Sequence, residues 1–388
     1  MTVTAPQGFR AAGVKAGLKA SGNPDLALVV NDGPSKSAAA VFTSNRVAAA
    51  PVHWSRQVVS DGRVDAVVLN SGGANACTGP QGFQNTHATA EKTAEVLGIS
   101  ATDVFVCSTG LIGEQLPMDK ILPGIDAAAA ALSADGGSAA ATAIMTTDSV
   151  SKQAVFTSVD GEGTHFTIGG IAKGAGMLAP GLATMLVVLT TDAEVQPELL
   201  DMVLRDATRV TFDRTDSDGC MSTNDTVVLM ASGASGAVPS AESFGAGLTQ
   251  VCAELARKLI GDAEGASHDI AIRTFNAASE RDAETVSRAV ARSNLFKAAI
   301  FGKDPNWGRV LSAVGTTDAV FEPDELQVSM NGIQICQNGS IGQDRKLVDL
   351  EPREVLVEID LQSGDAEATI WTNDLTHDYV HENSAYSS

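Results

Sequence analysis

Short apolar runs at Val64 to Leu69, Val104 to Cys107, Met185 to Leu189 and Thr226 to Met230 alternate along the chain with segments of helical period. That alternation predicts an α/β fold in which buried strands are covered by helices. One helix starts at Pro197, a favourable first-turn residue, and places Leu200, Val203, Leu204 and Ala207 on one face, which packs on a sheet. Residues 231–240 are rich in small residues and breakers and read as a connection. A long helical stretch follows from Ala241 to about Ile260. The last third repeats the mixture, with Val286, Ala289 and Val290 on a helix and strands near 326–330, 355–359 and 368–371. The expected organisation is a main α/β domain over 1–240 and a smaller α/β domain over 241–388. The Ala-rich stretch from Ala127 to Ala143 reads as a plain helix, and no internal repeat is evident.

Composition narrows the function. A chain of 388 residues suits two domains, and 44% hydrophobic with 19% charged residues is a globular balance. The formal charge of −21, with no local Lys/Arg cluster, argues against nucleic acid or a membrane as the main partner and favours small-molecule chemistry. The same acidity also serves solubility. Five widely spaced cysteines without a Cys-x-x-Cys pair read as reduced thiols, mostly buried. The N-terminus has neither a basic start nor an apolar run, so a cytoplasmic location is expected. Gly174 to Thr191 carries no charge, but its glycines and Pro180 would interrupt a spanning helix, and it reads as a loop entering a buried strand.

Two stretches can carry chemistry. From Lys173 to Leu189, glycines and Pro180 deliver Thr184 to the start of an apolar strand, beside the small Ala183. The Thr184 hydroxyl could attack the preceding carbonyl, an N-to-O acyl shift ending in chain cleavage. The freed α-amino group, with an unperturbed pKa of about 8, could then take the hydroxyl proton, making Thr184 an activated nucleophile. Read alone, such a segment is also an ordinary tight turn. In the second stretch, Val104 to Gly113, a strand opens into a turn that can aim the Thr109 hydroxyl and the Gly110 N–H at one point, an oxyanion hole, or can simply end a strand. Cys107, inside that strand, reads as structural. The six histidines are scattered; His377 and His381 lie four apart, but in a strand-and-tail context that does not favour a helical metal pair, so no metal is expected. Nucleotide-binding glycine motifs are absent.

The chain resembles the ornithine acetyltransferases of arginine biosynthesis, also called glutamate N-acetyltransferases. The resemblance runs nearly its whole length. It rests on Lys173-Gly-x-Gly-Met with Ala183-Thr184-Met, Cys107-Ser-Thr109-Gly110, Ile144-Met-Thr-Thr147-Asp148, Ser222-Thr-Asn-Asp225-Thr, Asp262-Ala-Glu264-Gly265, Asp304-Pro-Asn-Trp307-Gly-Arg309 and the tail from Asp374 to Asn383. It implies a layered α-β-β-α core and self-cleavage between Ala183 and Thr184, giving an α chain of 1–183 and a β chain from 184. Two of each form the implied assembly. Thr184 is then the nucleophile that takes acetyl from N-acetylornithine and passes it to glutamate, with Thr109 and Gly110 as oxyanion hole. Thr147, Lys173, Thr184, Glu264, Asn383 and Ser388 bind substrate; no cofactor is implied, although some relatives also use acetyl-CoA as co-substrate. Lys173 and Glu264 suit a zwitterionic amino acid, which needs a cation near its carboxylate and an anion near its amine. The sequence departs from the usual pattern at Gly181, where asparagine is frequent, at Ala263, where glycine is usual, and at Ser388, where threonine is common. None of these removes a hydroxyl or carboxylate that the mechanism needs. Asp304 to Arg309 reads as mainly structural, with the tryptophan anchoring a turn and Arg309 able to favour an acidic ligand.

Two other classes stay open on the residues alone. An N-terminal-nucleophile aminopeptidase or amidase would hand the same acyl group to water, a step for which Lys173, Glu264 and Asn383 are not required. A silent binding protein would remain uncut.

Overall fold

The structure is a computed structural model and describes residues 2–179 and 185–385; Ala183, Thr184 and Ser388 lie outside them. Strands β1 (Phe9–Val14), β2 (Leu26–Asn31) and β3 (Ser37–Phe42) come first, followed by α1 (Ala50–Val58), β4 (Ala66–Ser71), α2 (Gly79–Leu97) and β5 (Val104–Thr109). Helices α3 (Met118–Ala130) and α4 (Gly137–Ala143) precede β6 (Lys152–Val159), β7 (His165–Lys173) and β8 (Leu186–Thr191). Helix α5 (Pro197–Val210), β9 (Thr226–Ala231) and α6 (Ala241–Gly261) complete this unit.

These strands form a four-stranded sheet, β1-β2-β4-β5, and a five-stranded sheet, β3-β9-β8-β7-β6. Every residue of β2, β4, β5, β8 and β9 is buried, the mark of strands covered on both faces. Val29, Val67, Leu69 and Phe105 of one sheet meet Ala40, Ile171, Val188 and Val228 of the other in a shared core. The outer face of the first sheet is covered by α2 and α3 through Ala90, Ala94, Ile121 and Ile125. The second is covered by α5 and α6, where Leu200, Val203, Leu204 and Ala207 are buried as their spacing requires. The result is the expected α-β-β-α layering.

The C-terminal part begins with β10 (Asp269–Ala277), α7 (Glu280–Ala291), α8 (Asn294–Phe301) and α9 (Trp307–Val314). Strands β11 (Gln327–Met330), β12 (Ile333–Gln337), β13 (Ser340–Ile341), β14 (Glu354–Asp360) and β15 (Ala366–Asn373) follow, and α10 (His377–Ala385) is last. The six-stranded sheet, in the order β13-β12-β11-β14-β10-β15, carries its own core of Ile270, Ile272, Val286, Val290, Val310, Val357 and Ile370. This core starts at Ile270, and α6 gives Phe244, Leu248, Val251 and Leu255 to the first unit. Helix α6 thus packs with the main domain, whereas the division at 240/241 placed it in the second.

Two local expectations are corrected. The Ala-rich stretch is broken over residues 131–136, because Ser133 bridges to Ala11 of β1 and Gly136 lies where a Cβ would meet the Ala11 carbonyl at 1.8 Å. The tail around His377 and His381 is helical, its first turn capped by Thr376, whose Oγ1 accepts the Tyr379 N–H at 3.0 Å. Ala289 of α7 is only half-buried. The Asp304–Arg309 segment is structural: the Asn306 side chain caps α9, Trp307 packs on the C-terminal core, and an Arg309 guanidinium N–H donates to the Leu295 carbonyl at 2.6 Å.

Candidate active site at the ends of β5, β7 and β8

The parallel strands β4 and β5 end together at Ser71 and Thr109. Beyond them the N–H groups of Gly72 and Gly73 both donate to the Thr109 carbonyl at 2.9 Å, folding the turn back on the strand end. Gly110 has φ +129°, and a Cβ there would stand 2.5 Å from the Gly73 nitrogen. Only glycine fits, because both the backbone angle and the close approach forbid a side chain. Gly110→Ala is therefore expected to destabilise the protein by roughly 2–4 kcal/mol, read by thermal denaturation. Gly98→Ala, at φ +68° with no heavy atom within 4 Å of the added carbon, should cost only the conformational part, about 1 kcal/mol.

Lys173 ends β7 and pairs across the sheet with Leu186, the first residue of β8. Its side chain is buried, with Nζ 3.5 Å from Thr109 Oγ1, the long limit of a hydrogen bond. Burial pushes the Lys173 ammonium below its ordinary range, Asp148 resists, and the charge of Lys152 adds to the fall. The segment leading into β8 is fixed from β9: the Met185 N–H donates to Asp225 Oδ1 at 3.1 Å, and the Met185 carbonyl accepts the Thr226 N–H at 3.0 Å. Thr184, the residue bonded to Met185, lies outside the described residues. Its covalent neighbour nevertheless enters the sheet between Lys173 and Asp225, and Lys173 reaches across to Thr109 at the end of β5. Asn224 ties that strand in place by donating to the carbonyls of Ser108 and Ala74 at 2.8 and 2.6 Å.

A buried ion network supports Lys173. Asp148 accepts from Lys152 Nζ at 2.6 Å, from the Gly174 N–H at 2.7 Å and from the Thr146 N–H at 2.9 Å. Lys152 also reaches Asp262 at 2.5 Å. Burial alone would raise the Asp148 carboxyl; the two ammoniums and the Gly174 amide overcome it and hold the pKa at about 2. Asp148 is thus an anion between two cations, and it fixes the residue that follows Lys173.

The next residues of the same segment meet Glu264. The Glu264 N–H donates to the Ala175 carbonyl at 2.9 Å, and its carboxylate lies over Gly176, where a Cβ would be 2.6 Å from Oε2. Asn383 of α10 donates to Glu264 Oε2 at 2.9 Å. Glu264 and Thr147 line one cavity of about 470 Å³, together with Asp262, Thr376, His377 and Glu382. Residues 173–176 are therefore a spine joining Thr109, Gly110 and Lys173 on one side to Thr147, Glu264 and Asn383 on the other. A larger cleft of about 760 Å³ runs along β3 past Arg56 and Pro197, and none of the expected site residues lines it; the convergence of polar groups, rather than size, marks the site.

Other groups do not add a second centre. Burial pushes the Cys107 thiol far up, out of the range of a nucleophile. Ser267, His268 and Asp374 do come together, but His268 Nε2 faces the Leu350 carbonyl at 3.1 Å and Asp374 accepts from both neighbours, a clamp on the end of β15. Among the described residues no three His, Cys, Asp or Glu side chains are arranged to hold a metal ion, and no helix is long and apolar enough to cross a membrane. Reasoning along the chain missed Lys152, Asp262 and Asp225 as members of the site. The first two are 110 residues apart, and no local spacing pairs them.

A family model described as the ArgJ family matches residues 10–388. The chain belongs to this family. Proteins named arginine biosynthesis bifunctional protein ArgJ match it from end to end: that of Streptomyces coelicolor is 66% identical over 388 residues, all of both chains, and that of Thermobifida fusca 63% over the same span. The Mycobacterium leprae protein of that name is 53% identical over 393 residues, covering all of this chain and 96% of its own. Among solved structures, an ornithine acetyltransferase complexed with ornithine from Mycobacterium tuberculosis is 53% identical over 48% of this chain and 96% of its own, with a TM-score of 0.43. Family membership thus agrees with the motifs, including those that carry Thr109, Lys173 and Glu264.

Proposed function

We propose that this ArgJ-family chain cuts itself between Ala183 and Thr184 and then moves acetyl from N2-acetylornithine to glutamate in arginine biosynthesis. Thr184 attacks the acetyl carbonyl, its own amine taking the hydroxyl proton; Thr109 Oγ1 and the Gly110 N–H stabilise the oxyanion; the protonated amine passes that proton to the leaving nitrogen as the C–N bond breaks, and ornithine departs as the amine. Glutamate then attacks the acetyl ester and restores the hydroxyl. Lys173, Thr147, Glu264, Asn383 and Ser388 hold the amino acids. The α chain of 1–183 and the β chain of 184–388 assemble two and two, in the cytoplasm, without a bound cofactor. Relatives named bifunctional favour acetyl-CoA as a second acetyl donor.

One observation carries this reading: the residue after Thr184 is anchored where a buried ammonium meets the Thr109–Gly110 turn. That site can hold an anionic intermediate and exclude water. The test is intact-mass measurement of the purified protein, then transfer from N-acetylornithine to glutamate with and without acetyl-CoA. Two pieces breaking before Thr184 are expected, with one enzyme equivalent of ornithine released without glutamate and continued release only when glutamate is present. Acetate release in place of acetylglutamate would make the protein an amidase, and an uncut, inactive chain would overturn the reading.

A further inference from the structure

Asp225 has no part in the chemistry set out above, yet it grips the chain beside the nucleophile. It immediately precedes β9 and is 1% exposed. Its Oδ1 accepts the Met185 N–H at 3.1 Å, while the next residue, Thr226, donates its own N–H to the Met185 carbonyl. Both polar groups of residue 185 are therefore held by two consecutive residues at the start of β9. The Asp225 backbone is fixed in turn, its carbonyl accepting the Thr43 N–H at 2.9 Å. The second carboxyl oxygen, Oδ2, is buried and has no hydrogen-bond partner among the described residues.

Burial raises the Asp225 carboxyl well above the usual carboxylate range, against the lowering influence of the Met185 amide, of the Ser222 hydroxyl and N–H, and of Lys173. A carboxyl and a carboxamide share one shape and an acceptor oxygen for the Met185 amide.

We propose that Asp225 is a positioning residue whose acceptor oxygen fixes the Met185 peptide and so the place of Thr184, both in self-cleavage and in acetyl transfer. The inference rests on Thr184 being the nucleophile. A misplacement of about 1 Å at a reacting atom costs on the order of a hundredfold in rate, so a single peptide anchor one residue away has leverage over both reactions.

The experiment compares Asp225→Asn, Asp225→Ala and Thr184→Ala in the full-length protein, following cleavage by intact mass over time and transfer by kcat, KM and pH profile. Asp225→Asn, which keeps the acceptor oxygen and the shape, should cleave and transfer within about threefold of wild type, with an unchanged pH profile. Asp225→Ala should cleave about a hundredfold more slowly, and its matured fraction should lose kcat with little change in KM. The proposal is overturned if Asp225→Asn is as impaired as Asp225→Ala, if it loses an acid limb present in the wild-type profile, or if Asp225→Ala behaves as wild type. The first two outcomes would make the carboxyl a proton-transfer group. Should the alanine variant fail to fold, the asparagine variant decides alone. Cleavage of Thr184→Ala at the same bond would instead sink the nucleophile reading, whatever the Asp225 variants do.

Discussion

Thr184→Ala is expected to leave the protein as a single chain of 39.8 kDa and to reduce acetyl transfer by at least about a thousandfold, because one hydroxyl serves both reactions. Without it there is no N-to-O shift to start the cut, and no N-terminal nucleophile for the second reaction. Thr184→Ser keeps the hydroxyl and should keep part of each activity, with slower turnover, since the β-methyl group that restricts the side-chain rotamer is gone. Intact mass after extended incubation separates the two variants. An alanine protein that still broke before residue 184 would show that the cut is not self-made, even if transfer were lost.

Asp148→Asn should be the most damaging change away from the nucleophile. The wild-type carboxylate lies fully buried between Lys152, itself fully buried, and Lys173, 2% exposed. Removing its charge leaves Lys152 with Asp262 and deprives Lys173 of its main counter-charge. Breaking a buried ion pair by neutralising one partner typically costs about 3–5 kcal/mol, which a shift in thermal unfolding will show. Transfer should fall as well, because the Lys173 ammonium becomes still easier to deprotonate. The pH dependence has a definite sign. The folded Asp148 pKa of about 2 lies below its ordinary value of 3.8, so the stability it contributes is complete above pH 3.8 and is lost as pH falls towards 2, roughly 2 kcal/mol in all. The asparagine variant, lacking this group, should show a flatter loss of stability over that acid window.

The parts of this fold legible in the sequence are those where one physical cause dominates. Strands β8 and β9 read as unbroken apolar runs because both faces are buried, and α5 reads from its spacing because one face is. Strand β3, Ser37 to Phe42, is half alanine; it forms because β9 offers it a continuous ladder from Ser37–Ala231 to Phe42–Thr226, a partner that local propensity does not reveal. The break near Gly136 likewise depends on β1, over a hundred residues earlier. At the site, Thr109, Gly110, Lys173 and Glu264 sit in recognisable motifs, and the structure brings their segments together. The charges that hold them, Asp148 against Lys152 and Asp262, become a unit only when β6 and the end of α6 meet.

The order β3-β9-β8-β7-β6 has a consequence for how the enzyme is made. A cut before Thr184 leaves β3, β6 and β7 on one polypeptide and β8 and β9 on the other, with β7 and β8 laddered from Ile168–Thr191 to Lys173–Leu186 in mid-sheet. Such a cut is a nick in an interlocked lattice: the two products are laced through each other, and separating them would tear open the ladders on both flanks of the β8–β9 pair. Neither fragment translated alone would own the complete five-stranded sheet, and each would show bare strand edges where its partner strands belong. Under the proposed cut, the uncut precursor would be its own assembly jig, setting all five strands in register before the chain is divided.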